Sequence, residues 1–125
     1  MDNRVIDNWI EAYTLAWRTP GTDLLKEVFS EDIVYTPGPY RDPVTGLKAL
    51  AAFWEKTRDP NEVFELSYEL VATEGDIVVM KTQVTYTKPE QQTWKNIWIM
   101  QFQNDGLCFS FEEWPFSPDQ NDGQE

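Results

Sequence analysis

TWKNIWIMQFQNDGLCFSFEEW, residues 93–114, is the stretch on which the reading of this chain turns. Two apolar, aromatic-rich runs flank Asn104-Asp105-Gly106, and this predicts a β-hairpin, because glycine takes the positive φ that such turns need. Side chains in a strand alternate between faces. The first run therefore puts Trp94, Asn96, Trp98, Met100 and Phe102 on one face, and Lys95, Ile97, Ile99 and Gln101 on the other. The second run puts Phe109, Phe111 and Glu113 together, with Cys108, Ser110, Glu112 and Trp114 opposite. A carboxylate thus extends a row of phenylalanines, where an ionised group is costly unless something pairs with it. That placement points to a pocket.

Upstream, the same alternation predicts two more strands. Phe64, Leu66, Tyr68 and Leu70 alternate with Glu65, Ser67 and Glu69. After the turn Glu74-Gly75-Asp76, the set Val78, Met80, Thr82, Val84 and Tyr86 opposes Val79, Lys81, Gln83 and Thr85. A short strand is expected at Ile33–Thr36. It runs into Pro37-Gly38-Pro39-Tyr40-Arg41-Asp42-Pro43, whose three prolines restrict the loop to few conformations. Tyr40 and Arg41 are expected to rim a pocket mouth there, although Arg41 and Asp42 could simply pair at the surface.

Three helices are expected before the meander. Val5, Ile6, Trp9, Ile10, Tyr13, Ala16 and Trp17 recur at i, i+3, i+4, an amphipathic helix that Asp2 or Asn3 can cap and Pro20-Gly21 ends. A second, capped by Thr22, buries Leu24, Leu25, Val28 and Phe29. A third, capped by Thr45, turns Leu47, Leu50, Ala51 and Trp54 to one face and stops at Asp59-Pro60. Tryptophans at these positions read first as core. Tyr13 is a stronger candidate for chemistry, because a buried phenol needs a partner for its hydroxyl. Helices segregated from an antiparallel meander give an α+β fold, with a curved sheet wrapping the three helices into a cone. The folded unit is expected to span residues 1–116, followed by an acidic, disordered tail at 117–125.

Composition narrows the function. The 125 residues carry a net charge of −12, which argues against nucleic acid or an anionic membrane as partner, since both need basic patches. One cysteine excludes an internal disulfide and a thiolate zinc site. No apolar run is long enough for a bilayer, and Met1-Asp2-Asn3-Arg4 does not open like a signal peptide, so the cytoplasm is the expected compartment. The chain has no histidine, so acid/base work must run on Asp, Glu, Tyr or Lys. No Asp/Glu spacing matches a calcium loop, and no cofactor is expected.

Phe29-Ser30-Glu31-Asp32-Ile33-Val34-Tyr35, Tyr40-Arg41-Asp42-Pro43-Val44-Thr45-Gly46 and the closing Glu112-Glu113-Trp114 together resemble a SnoaL-like protein of the nuclear transport factor 2-like superfamily, which includes ketosteroid isomerase. The resemblance covers about Val5 to Trp114. It implies a conical pocket between helices and concave sheet, and a homodimer through the convex face, where Lys95, Ile97, Ile99 and Gln101 would lie with Val79, Lys81 and Gln83. Ketosteroid isomerase uses a carboxylate base with a tyrosine and a protonated aspartic acid. By this resemblance Tyr13 matches the tyrosine, whereas the base falls near Pro37 and the acid near Trp98. Steroid isomerisation is therefore not expected.

Glu113 is left as the expected acid or base, with Tyr13 as its expected catalytic partner and Tyr13 or Asn96 donating to an oxyanion or holding a carbonyl. Tyr35, Tyr40, Trp54, Trp94, Asn96, Trp98, Met100, Phe102, Phe109 and Phe111 are expected to line the pocket. The opposing reading of Glu113 is a strand-end carboxylate in solvent, or one paired with Arg18 or Arg41. Three functions follow. One is a cofactor-free isomerase, cyclase or hydrolase acting on an apolar or aromatic small molecule. Another is a domain that binds such a ligand, or dimerises, without turnover. The third is a protein-interaction module, whose filled core would hold no cavity above about 300 Å³.

Overall fold

Helix α1 (Asn3–Arg18) begins where the Asp2 carboxylate accepts the Arg4 backbone N–H at 2.8 Å, and it buries Ile6, Trp9, Ile10, Tyr13 and Ala16. The chain, described over residues 1–124 of a computed structural model, then makes a short 3₁₀ turn (Asp23–Glu27). Strand β1 (Phe29–Thr36), the two-residue β2 (Val44–Thr45) and helix α2 (Leu47–Thr57) follow. The long meander β3 (Val63–Glu74), β4 (Ile77–Lys88), β5 (Gln92–Phe102) and β6 (Cys108–Phe116) closes the fold. The six strands form one open sheet in the order β2-β1-β6-β5-β4-β3. All neighbours are antiparallel except β1 and β6, which run parallel.

The α+β architecture is as the sequence predicts, with two corrections among the helices. The expected second helix is only the 3₁₀ turn, and Thr22 makes no side-chain cap. Thr45 belongs to β2, and α2 starts after Gly46, which sits at φ 93° where a side chain would be strained.

The alternation holds through β4 and β5. Val78, Met80, Thr82 and Val84 are buried along β4, and Asn96, Trp98, Met100 and Phe102 along β5. In β6 it breaks. Phe102 pairs with Cys108 and Gln101 with Ser110, so Phe109 is the extra residue of a bulge. The parity expected for this strand is therefore wrong on its N-terminal side: Cys108 faces the core at 0% exposure, and Phe109 is only half-buried. Beyond the bulge, Phe111 and Glu113 share the inner face as expected.

Aromatic rings fill the space between α1 and the sheet. Trp9 stacks on Tyr13 at 5.0 Å and meets Phe102 edge-on at 5.4 Å. Phe111 lies 5.1 Å from Tyr35 and 5.2 Å from Trp98. The Trp9 indole N–H donates to the Val28 carbonyl at 2.9 Å, satisfying both groups inside the core. Residues 118–124 are exposed; Glu125, the last residue of the expected tail, lies outside the described residues. No described helix is long and apolar enough to cross a membrane.

Candidate functional site

The aromatic core does not close completely. A cavity of about 270 Å³ remains between the C-terminal halves of α1 and α2, the segment leading into β3, and the inner face of β4, β5 and β6. Its walls include Tyr13 and Trp17 from α1, Tyr35 from β1, Phe53, Trp54 and Thr57 from α2, and Arg58 just past it. Glu62, Val84, Tyr86, Trp94, Asn96, Trp98, Glu113 and Pro115 complete them. A second cavity of about 240 Å³ shares Trp17, Trp54, Arg58 and Glu62 with the first.

Of the residues expected at the site, Glu113, Tyr13, Tyr35, Trp54, Trp94, Asn96 and Trp98 all line this cavity. Four do not. Tyr40 is 100% exposed, so the proline loop carries it into solvent and not over the mouth. Met100 and Phe102 lie deeper along β5, closed in by the core, and Phe109 is displaced by the bulge. The wall also holds Arg58, Glu62, Trp17 and Tyr86, which the sequence reading did not assign to it. Trp17 and Tyr86 carried a signal, since each shares its face with pocket residues. Arg58 and Glu62 flank the Asp59-Pro60 helix stop and offered no periodicity to read.

Glu113 is the register partner of Trp98 across β5 and β6. Burial of its carboxyl raises the pKa from 4.5 to about 7, while the Trp98 indole and Tyr35 phenol draw it partway back. The Trp98 N–H nevertheless stays outside hydrogen-bonding geometry. Tyr35 interacts in turn with Tyr13, and burial holds both phenols protonated well above their ordinary range. Glu113 forms no ion pair with Arg18 or Arg41; Arg18 instead lies 3.7 Å from Glu65. The carboxyl therefore sits among neutral donors.

A second polar group bounds the cavity at the end of α2. The Trp17 indole N–H donates to Glu62 Oε1 at 2.7 Å, and Arg58 donates through Nη2 to the Trp17 carbonyl. Arg58 Nε lies 3.9 Å from Glu62 Oε1, an ion pair without a hydrogen bond, and its guanidinium carbon sits 5.0 Å over the Trp54 ring. Desolvation lowers the Arg58 pKa and raises that of Glu62.

Among the described residues, four buried side-chain polar atoms lack a hydrogen-bond partner: Trp54 Nε1, Arg58 Nε, Asn96 Oδ1 and Trp98 Nε1. All four belong to residues lining this one cavity. Each such orphan costs about 1–3 kcal/mol, so four of them among the residues of one cavity set it apart from an ordinary packed core. No group of three or more His, Cys, Asp or Glu side chains capable of holding a metal occurs among the described residues.

Comparison with solved structures agrees with this architecture. The chain superposes on an NTF-2 like protein of unknown function from Burkholderia xenovorans LB400 with a TM-score of 0.72, at 16% identity, covering 97% of this chain and 90% of that one. An LEH-like epoxide hydrolase from M. tuberculosis gives 0.68 at 14% identity, covering 87% and 80%. A ketosteroid isomerase-like protein from Erwinia carotovora atroseptica gives 0.63 at 20% identity, covering 92% and 96%. These likenesses show a shared fold. Among curated proteins, none matches the chain. The SnoaL-like domain family matches residues 10–111, most of the folded region, and the chain belongs to that family.

Proposed function

We propose that the cavity takes up a small apolar or aromatic molecule and that Glu113 exchanges a proton with it, in a cofactor-free isomerisation, cyclisation or hydrolysis. The observation that carries this reading is Glu113 itself, a carboxyl held on a cavity wall opposite Trp98 with no cation beside it. A carboxyl with a pKa of about 7 is divided between acid and base at neutral pH, the condition under which one group can both give and take a proton. Tyr13 and Tyr35 stay protonated and can donate to an oxygen on which negative charge develops. The cavity volume lies just under the about 300 Å³ lower end for ligand sites, so size alone would also suit a filled interaction module. The orphan groups among its lining residues favour a ligand, and the volume suits a small one.

Native mass spectrometry of the purified protein, followed by turnover assays on the retained compound, tests the proposal. Glu113→Gln is expected to keep affinity and abolish turnover. A ligand retained and never converted by the wild type would make this a binding domain instead, and an empty protein that accepts no small aromatic would sink both readings.

A second reading concerns assembly, and the outer face of the sheet supports it. Ile97 and Trp114 pair across β5 and β6, 37% and 36% exposed, with Val79 and Ile99 half-buried nearby. This apolar band, flanked by Lys81, Lys95 and Glu112, suits a second copy of the chain.

A further inference from the structure

The unpartnered groups around the cavity are unbalanced. Three are donors, Trp54 Nε1, Arg58 Nε and Trp98 Nε1, against one acceptor, Asn96 Oδ1. None of the four atoms offers surface to solvent, and the excess of donors favours a ligand rich in acceptor oxygens. The donors also sort by position. Trp54 and Arg58 stack at the end of α2, whereas Trp98 stands on β5 beside Glu113.

Arg58 is the one cation among the residues lining the cavity, and its side chain is 17% exposed. Its nearest carboxylate does not satisfy it, because Glu62 Oε1 is taken by the Trp17 indole at 2.7 Å and stands 3.9 Å from Arg58 Nε. A neutral carbonyl would serve an indole N–H but would leave the guanidinium with only the Glu62 ion pair at 3.9 Å. A carboxylate accepts from both and neutralises the charge. The net charge of −12 works against capture of an anion at long range, yet salt screens that field beyond about 10 Å and does not reach a pair formed inside the cavity.

We propose that the ligand is a flat aromatic carboxylic acid, its carboxylate held by Arg58 and Trp54 and its ring extending toward Trp98 and Glu113. This assignment rests on the small-molecule reading of the cavity and names the ligand class within it.

Titration of the purified full chain with 2-naphthoate and with 2-naphthamide, followed by calorimetry at pH 6, tests it. Naphthoate is expected to bind at least about tenfold more tightly, the scale of one charge-assisted hydrogen bond. Arg58→Gln is expected to erase that preference while naphthamide still binds. Should that variant fail to fold, Trp54→Phe removes the second donor and keeps the ring, and the preference is expected to shrink. Equal affinities in the wild type, or an unchanged preference in either folded variant, would overturn the carboxylate assignment and leave the pocket reading standing. Binding of neither probe would overturn both.

Discussion

Trp98 and Glu113 stand directly opposite one another on β5 and β6, both on the inner face of the sheet, with the indole N–H unpartnered and the carboxyl uncharged below about pH 7. The pairing explains how a carboxyl persists on an aromatic wall. Its cost falls on the ionised form, which the fold avoids by keeping the proton.

Stability should therefore fall as pH rises toward 7. Glu113 has a folded pKa of about 7 and an ordinary value of 4.5, so between these the folded state binds the extra proton. Its contribution is fully present below 4.5 and is lost as pH rises through 7. The loss is on the order of 3 kcal/mol at 1.36 kcal/mol per pH unit. Urea unfolding at pH 5 and pH 8 should show this slope in the wild type and a flatter one in Glu113→Gln. Parallel slopes would place the carboxyl in solvent.

Tyr35→Phe should push the Glu113 pKa higher still. The phenol is one of two groups that draw it down, and phenylalanine keeps the ring against Phe111. Carboxyl carbon shifts in NMR, followed through pH, would report the midpoint. A midpoint that moves down or stays put would mean that Tyr35 does not act on Glu113.

Trp9→Phe should destabilise the fold by about 1 kcal/mol, because it removes the buried indole hydrogen bond to the Val28 carbonyl, which keeps only the Cys108 backbone N–H at 2.9 Å. Trp9 does not line the cavity, so ligand binding at saturating folded protein should be unaffected. Denaturant melts and a binding isotherm on the same sample separate the two effects.

Cys108 should be inert toward a thiol reagent in the native protein and react fully in urea. Burial pushes its thiol up to about 12, and the bulge at Phe109 turns it into the core. Rapid native labelling would instead restore the regular alternation, with Cys108 outside.

Ile97→Glu should lower the oligomeric mass seen by light scattering, since an isologous interface receives the new charge twice. The cavity lies on the other face of the sheet, so the variant's binding of 2-naphthamide should match that of the wild type. A wild type that is monomeric at all concentrations would remove the dimer proposal.

What the sequence by itself determined is the part governed by local period. The 3.6-residue spacing of Trp9, Tyr13 and Ala16 set the buried face of α1, and the two-residue alternation set the inner faces of β4 and β5. That was enough to bring Tyr13, Asn96, Trp98 and Glu113 toward one space. Only the tertiary structure decided what depends on distant partners. β6 lies between β5 and the parallel β1, and the register with both shifts near Phe109, so Cys108 turns inward against the local pattern. The same holds for the Arg58 end of the cavity. Trp17 and Glu62 stand 45 positions apart and meet because α1 packs over the start of β3, a contact set by burial of the whole core and carried by no local repeat.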